Sequence, residues 1–214
     1  MHVKDLSFES IEVVRDEQEL RGLVGTPGDI AVAKQISTLD GYCRTFIAHS
    51  PYVLLGTSDR SGRCDVSPKG DAPGFVSVLD DTHLLIPDRP GNRRLDGMRN
   101  LLSNAHVGLL FLIPTRQETL RVNGRACIIR DGSVLQRCTV QGKRPVLGVL
   151  VEVEEVFMHC GKASWRSQLW EPLQWPDVTA MPSPGCMLYE HAKPAGMDAT
   201  TMDERFAADK ERLY

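Results

Sequence analysis

The chain has 214 residues, 42% of them hydrophobic, which is enough to bury the core of one full domain. Its 25 basic and 28 acidic residues give a formal net charge of -3, and this balance excludes long-range attraction to nucleic acid or to an acidic membrane surface. The six cysteines lack C-x-x-C spacing, and neither a signal segment nor a membrane-length run of roughly 20 apolar residues is present, so we expect a reduced, cytoplasmic protein.

Residues 1–50 are predicted to form a helical N-terminal extension, because apolar residues recur there at helical spacing on both sides of a Thr-Pro-Gly break. A β-rich core follows over residues 51–158, with one helix predicted at about 92–103. The predicted strands of this core are 53–58, 63–67, 75–79, 83–87, 106–113, 119–129, 134–140 and 146–157.

Such a regular succession of short strands, interrupted by one helix, favours a closed or partly closed antiparallel barrel over a parallel α/β sheet. Residues 159–214 are predicted to form a helical and loop C-terminal extension that packs on the same domain. It starts with the helical spacing of HCGKASWRSQLW, continues through a Pro-rich stretch and ends in an amphipathic helical tail. The predicted fold class is therefore mainly β with peripheral α-helices.

Two basic segments of the core indicate an anion-binding site. Arg93 and Arg94 lie where the predicted helix begins, with Asn92 as its cap, and a helix start favours anions over cations. Lys69 lies in SPKGDAPG, which is interpreted as a loop after a strand whose backbone N–H groups face a ligand. Each segment alone is also explained by solvated surface charges, but two loops that converge at one barrel rim would hold a phosphate.

The motifs that are absent from the sequence argue against several classes of enzyme and of binding site. The sequence has no G-x-S-x-G, H-E-x-x-H, G-x-G-x-x-G or G-x-x-x-x-G-K-[ST] motif, which argues against a hydrolase, a zinc or other metal site, a Rossmann fold and a P-loop. Lys162 and Arg166 are four residues apart and share one helical face beside several large apolar residues. This segment either packs its tryptophans against the barrel or closes over a planar aromatic ligand.

These motifs together resemble one known family. Residues 51–126, with DVSPKGDAPGF, LLIPDRPGNRRLD, LLSNAHVGLLFLIP and ETLRVNGRA, are similar to the pyridoxamine 5'-phosphate oxidase-like FMN-binding split barrels. The resemblance implies a split β-barrel with N-terminal helices, one inserted helix and a helical C-terminal tail. It also implies a homodimer that binds FMN at each of two subunit-interface sites.

The resemblance assigns cofactor-binding roles to particular residues. Asn92, Arg93 and Arg94 match the family's phosphate clamp, and Thr119 matches a contact made from the partner subunit. At the preceding strand end, Asp88 or backbone groups replace side chains that usually face the ring. The full set of expected cofactor-binding residues is Ser67, Pro68, Lys69, Pro87, Asp88, Asn92, Arg93, Arg94, Thr119, Lys162 and Arg166. Lys162 or Arg166 would stabilise negative charge on the reduced ring.

The expected function is that of an FMN-dependent oxidoreductase that transfers hydride or electrons to or from an unknown small-molecule substrate. Pyridoxamine phosphate is not the expected substrate, because SWRSQLW and ERLY stand where true pyridoxamine phosphate oxidases have Arg-x-Glu-Phe-Trp and Arg-Leu-x-Pro. The alternative is a non-catalytic flavin-binding protein, or a protein that binds haem or a deazaflavin in a similar barrel. No catalytic residue is assigned.

Overall fold

The structure is a computed structural model that describes residues 7–9, 11–211 and 213–214. The chain divides into two compact units, residues 1–35 and 36–214. The first unit contains α1 (Glu17–Val24) and α2 (Asp29–Ala33). Asp16 caps α1, because its side chain accepts a hydrogen bond from the backbone N–H of Glu19. The proposed division into residues 1–50, 51–158 and 159–214 stays a prediction.

The second unit is built on one antiparallel sheet of seven strands. They are β1 (Tyr52–Ser58), β2 (Cys64–Gly70), β3 (Ser77–Val78), β4 (His83–Pro87), β5 (His106–Leu112), β6 (Thr119–Ile129) and β7 (Gly148–His159). The strand order is β2-β1-β5-β6-β7-β4-β3, so β2 and β3 are edge strands and the sheet is split between them rather than closed. The predicted mainly β fold with peripheral helices is confirmed.

The long strands β6 and β7 form the centre of the sheet, because their apolar residues alternate with polar ones and bury one face. Val122 and Val151 are fully buried there, beside Phe111 on β5. The register shifts between Asn123 and Gly124, which marks a β-bulge. A Cβ on Gly124 would lie 2.0 Å from the carbonyl oxygen of Glu152, so the bulge requires glycine.

The described residues of the second unit also form six α-helices. They are α3 (Gly41–His49), α4 (Asp96–Leu101), α5 (Gly132–Leu135), α6 (Lys162–Ser167), α7 (Pro184–Ala192) and α8 (Ala199–Asp209). Ser183 caps α7 and its hydroxyl donates to Asp203 of α8 at 2.5 Å, which joins the two C-terminal helices. Over the described part of the chain, no helix combines the length and apolar character needed to cross a membrane.

The strand predicted at 134–140 is wrong. The structure has α5 there, followed by a 3-10 turn at Gln136–Cys138. The Asp131 carboxylate accepts from the backbone N–H groups of Ser133 and Val134 at 2.8 and 3.3 Å, which starts a helix instead of a strand. The core therefore contains two inserted helical segments where one was predicted. The strand predicted at 75–79 is reduced to β3.

The predictions around the basic segments also need correction. β2 continues through Gly70, so Lys69 is a strand residue and not a loop residue. Pro68 is accommodated because β2 is an edge strand. The helix predicted at 92–103 is the shorter α4, and its N-cap is Leu95 in a left-handed conformation, not Asn92. Arg93 and Arg94 therefore precede the helix and do not belong to its first turn.

Candidate functional site

The loop between β4 and α4 presents the two arginines in an unusual backbone conformation. Arg93 and Leu95 have φ values of 60° and 59°, which non-glycine residues rarely adopt. Each such residue costs on the order of 1–3 kcal/mol, and strain of this kind concentrates at ligand-binding sites. Between them, the backbone N–H of Arg94 donates to Oδ1 of Asn92 at 3.0 Å. Asn92 thus shapes the loop.

This loop forms one wall of a cleft of about 660 Å³. Buried Leu55, Met98 and Val149 give the cleft an apolar floor. Six of the residues expected from the sequence line it, namely Ser67, Lys69, Asp88, Asn92, Arg93 and Arg94. The structure therefore brings the two basic segments together, although neither has the local structure that was predicted.

Strand geometry decides which residues of β2 and β4 reach the cleft. Side chains alternate along a strand, so Ser67 and Lys69 face the cleft while Pro68 between them is exposed on the other side. Pro87 is buried at the end of β4 and does not line the cleft. The structure does not place Pro68 or Pro87 in contact with this space.

Charge in the cleft is predominantly positive. Its lining includes the cationic side chains of Lys69, Arg89, Arg93, Arg94, Lys143 and Arg144. Against these stand two acidic side chains, those of Asp88 and Asp96. Arg94 pairs with Asp96 at 2.6 Å, on the exposed side of the loop. A cleft with this excess of cations is suited to an anionic ligand.

Arg89 is fixed in the wall by a buried network that the sequence analysis missed. Its Nε lies 2.6 Å from Asp71 Oδ2, and the side chains of Arg89 and Asp71 are only 16% and 2% exposed. Arg89 also donates to the carbonyl oxygen of Cys138 at 2.9 Å, and the Tyr214 hydroxyl donates to Asp71. Burial raises the pKa of Asp71, but hydrogen bonds from Tyr214, Ala72 and Arg89 outweigh it and hold the pKa below its usual range.

Asp88 is the half-buried carboxylate of the cleft. Burial raises its pKa, and the positive charge of Lys69 opposes that rise. Its ionised form is therefore penalised in the folded protein. Because the folded pKa is raised, this group favours the folded state in acid, and the contribution is lost as pH rises through that pKa.

Replacement of Asp88 by asparagine is expected to strengthen phosphate binding in the cleft by about two- to fivefold at neutral pH, because a repelling charge is removed. In the wild type, acid achieves the same by protonating Asp88. The ratio of the FMN affinity of Asp88→Asn to that of the wild type should therefore fall towards one as pH decreases. Titration calorimetry with FMN at several pH values measures this ratio. A ratio that grows in acid would contradict this role.

Three expected residues do not line the cleft. Thr119, Lys162 and Arg166, here termed the distal cluster, lie at or beyond the opposite ends of β6 and β7, where Thr119 pairs with His159. Of the residues on β7, the cleft includes Val149, next to the Gly148 end, whereas Thr119 and His159 stand at the other end of the β6–β7 pair. None of the three residues lines the cleft of its own chain.

Hydrogen bonds hold α6 against the loop that precedes β6. Ser164 Oγ donates to the carbonyl oxygen of Gln117 at 3.0 Å, and Trp170 Nε1 donates to that of Arg116 at 2.8 Å. Trp165, in contrast, is 56% exposed. Of the two interpretations of this segment, packing against the protein therefore holds for Trp170, while Trp165 offers an open aromatic surface.

Sequence comparison identifies one matching family. The family model described as pyridoxamine 5'-phosphate oxidase matches residues 39–160, more than half of the chain. No curated protein sequence matches the chain significantly. In the residues that the structure describes, no three His, Cys, Asp or Glu side chains are grouped to hold a metal ion.

Several solved structures are similar at low identity. HupZ from Group A Streptococcus is 18% identical with a TM-score of 0.45, over 56% of this chain and 92% of that chain. An FMN-binding protein from Syntrophomonas wolfei is 13% identical with a TM-score of 0.42, over 54% and 82%. HutZ, a haem storage protein from Vibrio cholerae, is 14% identical with a TM-score of 0.38, over 57% and 94%.

Proposed function

The chain belongs to the pyridoxamine 5'-phosphate oxidase family, and from this membership we propose that it binds FMN in the cleft and acts as an FMN-dependent oxidoreductase. The single observation that supports FMN most strongly is the convergence of Lys69, Arg93 and Arg94 on one cleft. Their side chains offer several charge-assisted hydrogen bonds to a phosphate. The strained loop around Arg94 points to the same use.

The residues present fit this cofactor. A phosphate monoester carries about -1.5 to -2 charges at neutral pH, which the basic wall of the cleft matches. The Ser67 hydroxyl adds a neutral donor beside Lys69. The apolar floor of Leu55, Met98 and Val149 suits an aromatic ring system. A phosphorylated flavin requires both a positively charged wall for its phosphate and an apolar surface for its ring.

When bound, FMN would supply the redox chemistry, as is usual for cofactor enzymes. In this proposal Arg93, Arg94 and Lys69 hold the phosphate, Asn92 keeps their loop in shape, and the apolar floor excludes water from one side of the site. Asp88 limits how much negative charge the cleft accepts. No residue of the chain is required as a general acid or base.

The distal cluster enters the proposal through a second copy of the chain. Thr119, Lys162 and Arg166 do not line the cleft of their own chain, so in this proposal another subunit presents them to the cofactor. A two-fold symmetric homodimer would place each distal cluster at the cleft of the other subunit and create two equal sites. Residues of two subunits would then hold each FMN.

Mixing of two inactive variants tests this arrangement. Arg93→Gln/Arg94→Gln removes the clamp, and Lys162→Gln/Arg166→Gln removes the distal charges. Each variant alone is expected to bind FMN poorly, but equal amounts refolded together should restore tight binding at roughly one FMN per four chains, because half of the dimers then contain one intact site. Absence of any restored binding, with each variant folded, would contradict a shared site.

Catalysis is tested separately with the FMN-bound protein. Steady-state turnover of NADH or NADPH in the presence of oxygen is the expected result for an oxidoreductase. A bound flavin that stays oxidised with every donor would instead indicate the non-catalytic flavin-binding function, which leaves the cofactor assignment intact.

A further inference from the structure

Asn100 is a buried polar residue of α4 that binds two strands at once. Its side-chain Nδ2 donates to Thr57 Oγ1 at 3.1 Å and to Asp65 Oδ2 at 2.8 Å. Thr57 on β1 and Asp65 on β2 are direct partners in the register of these strands. A primary amide has two N–H donors, and both are used here on one cross-strand pair. Asn100 therefore attaches α4 to β1 and to β2.

The arginine loop, residues 92–95, depends on α4 for its position. All of its residues are exposed. In the described part of the chain, its hydrogen bonds and its ion pair stay within the loop or reach into α4. The backbone N–H of Arg99 donates to the carbonyl oxygen of Leu95 at 2.8 Å, and Arg94 pairs with Asp96. A displacement of α4 would therefore displace the loop.

Asn100 supplies the directional contacts that fix α4 on the sheet. Met98 and Leu101 of this six-residue helix are also buried, but apolar contacts are non-directional. Among the described residues, no other α4 side chain forms a hydrogen bond to the sheet. The helix backbone comes close at the same place, since a Cβ on Gly97 would lie 3.4 Å from Thr57 Oγ1. The two bonds of Asn100 thus set where α4 lies along β1 and β2.

The same bonds link the arginine loop to the strand that carries Lys69. Side chains alternate along β2, so Asp65 and Lys69 face the same side of this strand. β2 is an edge strand and pairs with β1 alone. The carboxylate of Asp96, and after it that of Asp65, raises the pKa of Arg94, which places Asp65 within electrostatic reach of the loop. The bond between Asn100 and Asp65 therefore connects the two basic segments of the cleft.

We propose that Asn100, through its bond to Asp65, is a positioning residue for the phosphate of the cofactor. The proposal rests on the proposed function, because it takes Arg93, Arg94 and Lys69 to hold that phosphate. Asn100 does not line the cleft and acts through α4. It keeps the arginine loop where its side chains and Lys69 reach one phosphate together. Hydrogen bonds weaken steeply when their angles change, so a shift of α4 weakens phosphate binding more than binding of the flavin ring.

Two substitutions of Asp65 that remove the same charge test this role. Asp65→Asn keeps an oxygen that accepts from Asn100, whereas Asp65→Leu has no acceptor. Fluorescence titration measures the affinity of each flavin-free protein for FMN and for riboflavin, which lacks the phosphate. The ratio of FMN affinity to riboflavin affinity should be at least about tenfold lower in Asp65→Leu than in Asp65→Asn, while the two riboflavin affinities agree within about threefold.

A second pair of variants removes the donor instead of the acceptor. Asn100→Leu should lower the same affinity ratio at least about tenfold relative to the wild type. Asn104→Leu is the matched control, because Asn104 Nδ2 donates to Ser58 Oγ at 2.9 Å beyond the end of α4 and does not line the cleft. Its ratio should equal that of the wild type. Asp65 is only partly buried, so its variants decide the question if Asn100→Leu does not fold.

Either of two results would overturn the positioning role. One is an equal affinity ratio in Asp65→Leu and Asp65→Asn. The other is an equal loss of FMN and riboflavin affinity in the leucine variants of Asp65 and Asn100, which a general structural role would produce. Failure of the wild type to bind either flavin contradicts the proposed function instead. The affinity of the flavin-free proteins for inorganic phosphate then decides. Binding at least about tenfold weaker in Asp65→Leu than in Asp65→Asn supports the positioning role, and equal or absent phosphate binding overturns it.

Discussion

Replacement of both Arg93 and Arg94 by glutamine is expected to weaken FMN binding by about 100- to 10,000-fold. Both side chains line the cleft, and charge-assisted hydrogen bonds to a phosphate are about twice as strong as neutral ones. Arg94 also pairs with Asp96 on the exposed side of the loop, so part of its charge is already compensated. We therefore expect Arg93→Gln alone to be more harmful than Arg94→Gln alone. Fluorescence titration of the flavin-free proteins with FMN measures all three affinities.

A matched control separates this local effect from a general loss of positive charge. Arg125 and Arg137 are exposed and do not line the cleft. The double variant Arg125→Gln/Arg137→Gln lowers the net charge of the chain by the same amount and should bind FMN like the wild type. Equal FMN affinities in the two double variants would show that Arg93 and Arg94 do not hold the phosphate.

Replacement of Asp71 by asparagine is expected to lower the free energy of unfolding by about 3 kcal/mol, because it leaves the largely buried guanidinium of Arg89 without its counter-charge. The hydrogen bond from Arg89 to Cys138 limits the loss. Urea denaturation provides the measurement. Asp81→Asn is the control, since it breaks the exposed pair with Arg44 and should change stability much less. Equal effects of the two variants would contradict the structural importance of the buried pair.

The same variant gives a pH signature. The pKa of Asp71 is lowered in the folded protein, so the stabilisation from its charge is present above the unfolded pKa of about 3.9. It is lost as pH falls through the folded pKa. The stability difference between wild type and Asp71→Asn should therefore be largest at neutral pH and shrink below about pH 4.

Alternation of apolar and polar residues explains why much of the sheet was predictable. The bounds predicted for β4 and β6 agree with the structure, since each strand has a clear pattern between turn residues. The wrongly predicted elements lie where two local sequence signals favour different structures. At Asp131 a side-chain cap outweighed the apolar pattern of residues 134–140, and the cap itself was readable from Asp131 followed by Ser133. At Pro68 a proline was interpreted as a loop signal, although an edge strand tolerates it.

The candidate site was predictable only where a local motif carried it. Asn92, Arg93 and Arg94 stand in one short segment, and Lys69 stands in another, so residue type and spacing indicated both. Tyr214 contacts Asp71 across 143 residues of sequence, and no local pattern announces such a contact. Lys143 and Arg144 were missed because residues 141–145 were assigned to no element. Both line the same cleft as Arg93 and Arg94, and only the fold brings these two segments together.

The chromophore itself is the most direct test of the central claim. The protein should be purified without added cofactor, denatured, and the released small molecule identified by its mass. We expect a yellow protein that releases FMN, with the chromophore lost in Arg93→Gln/Arg94→Gln. Release of haem, a deazaflavin or FAD, or the failure of a colourless protein to take up added FMN, would contradict it.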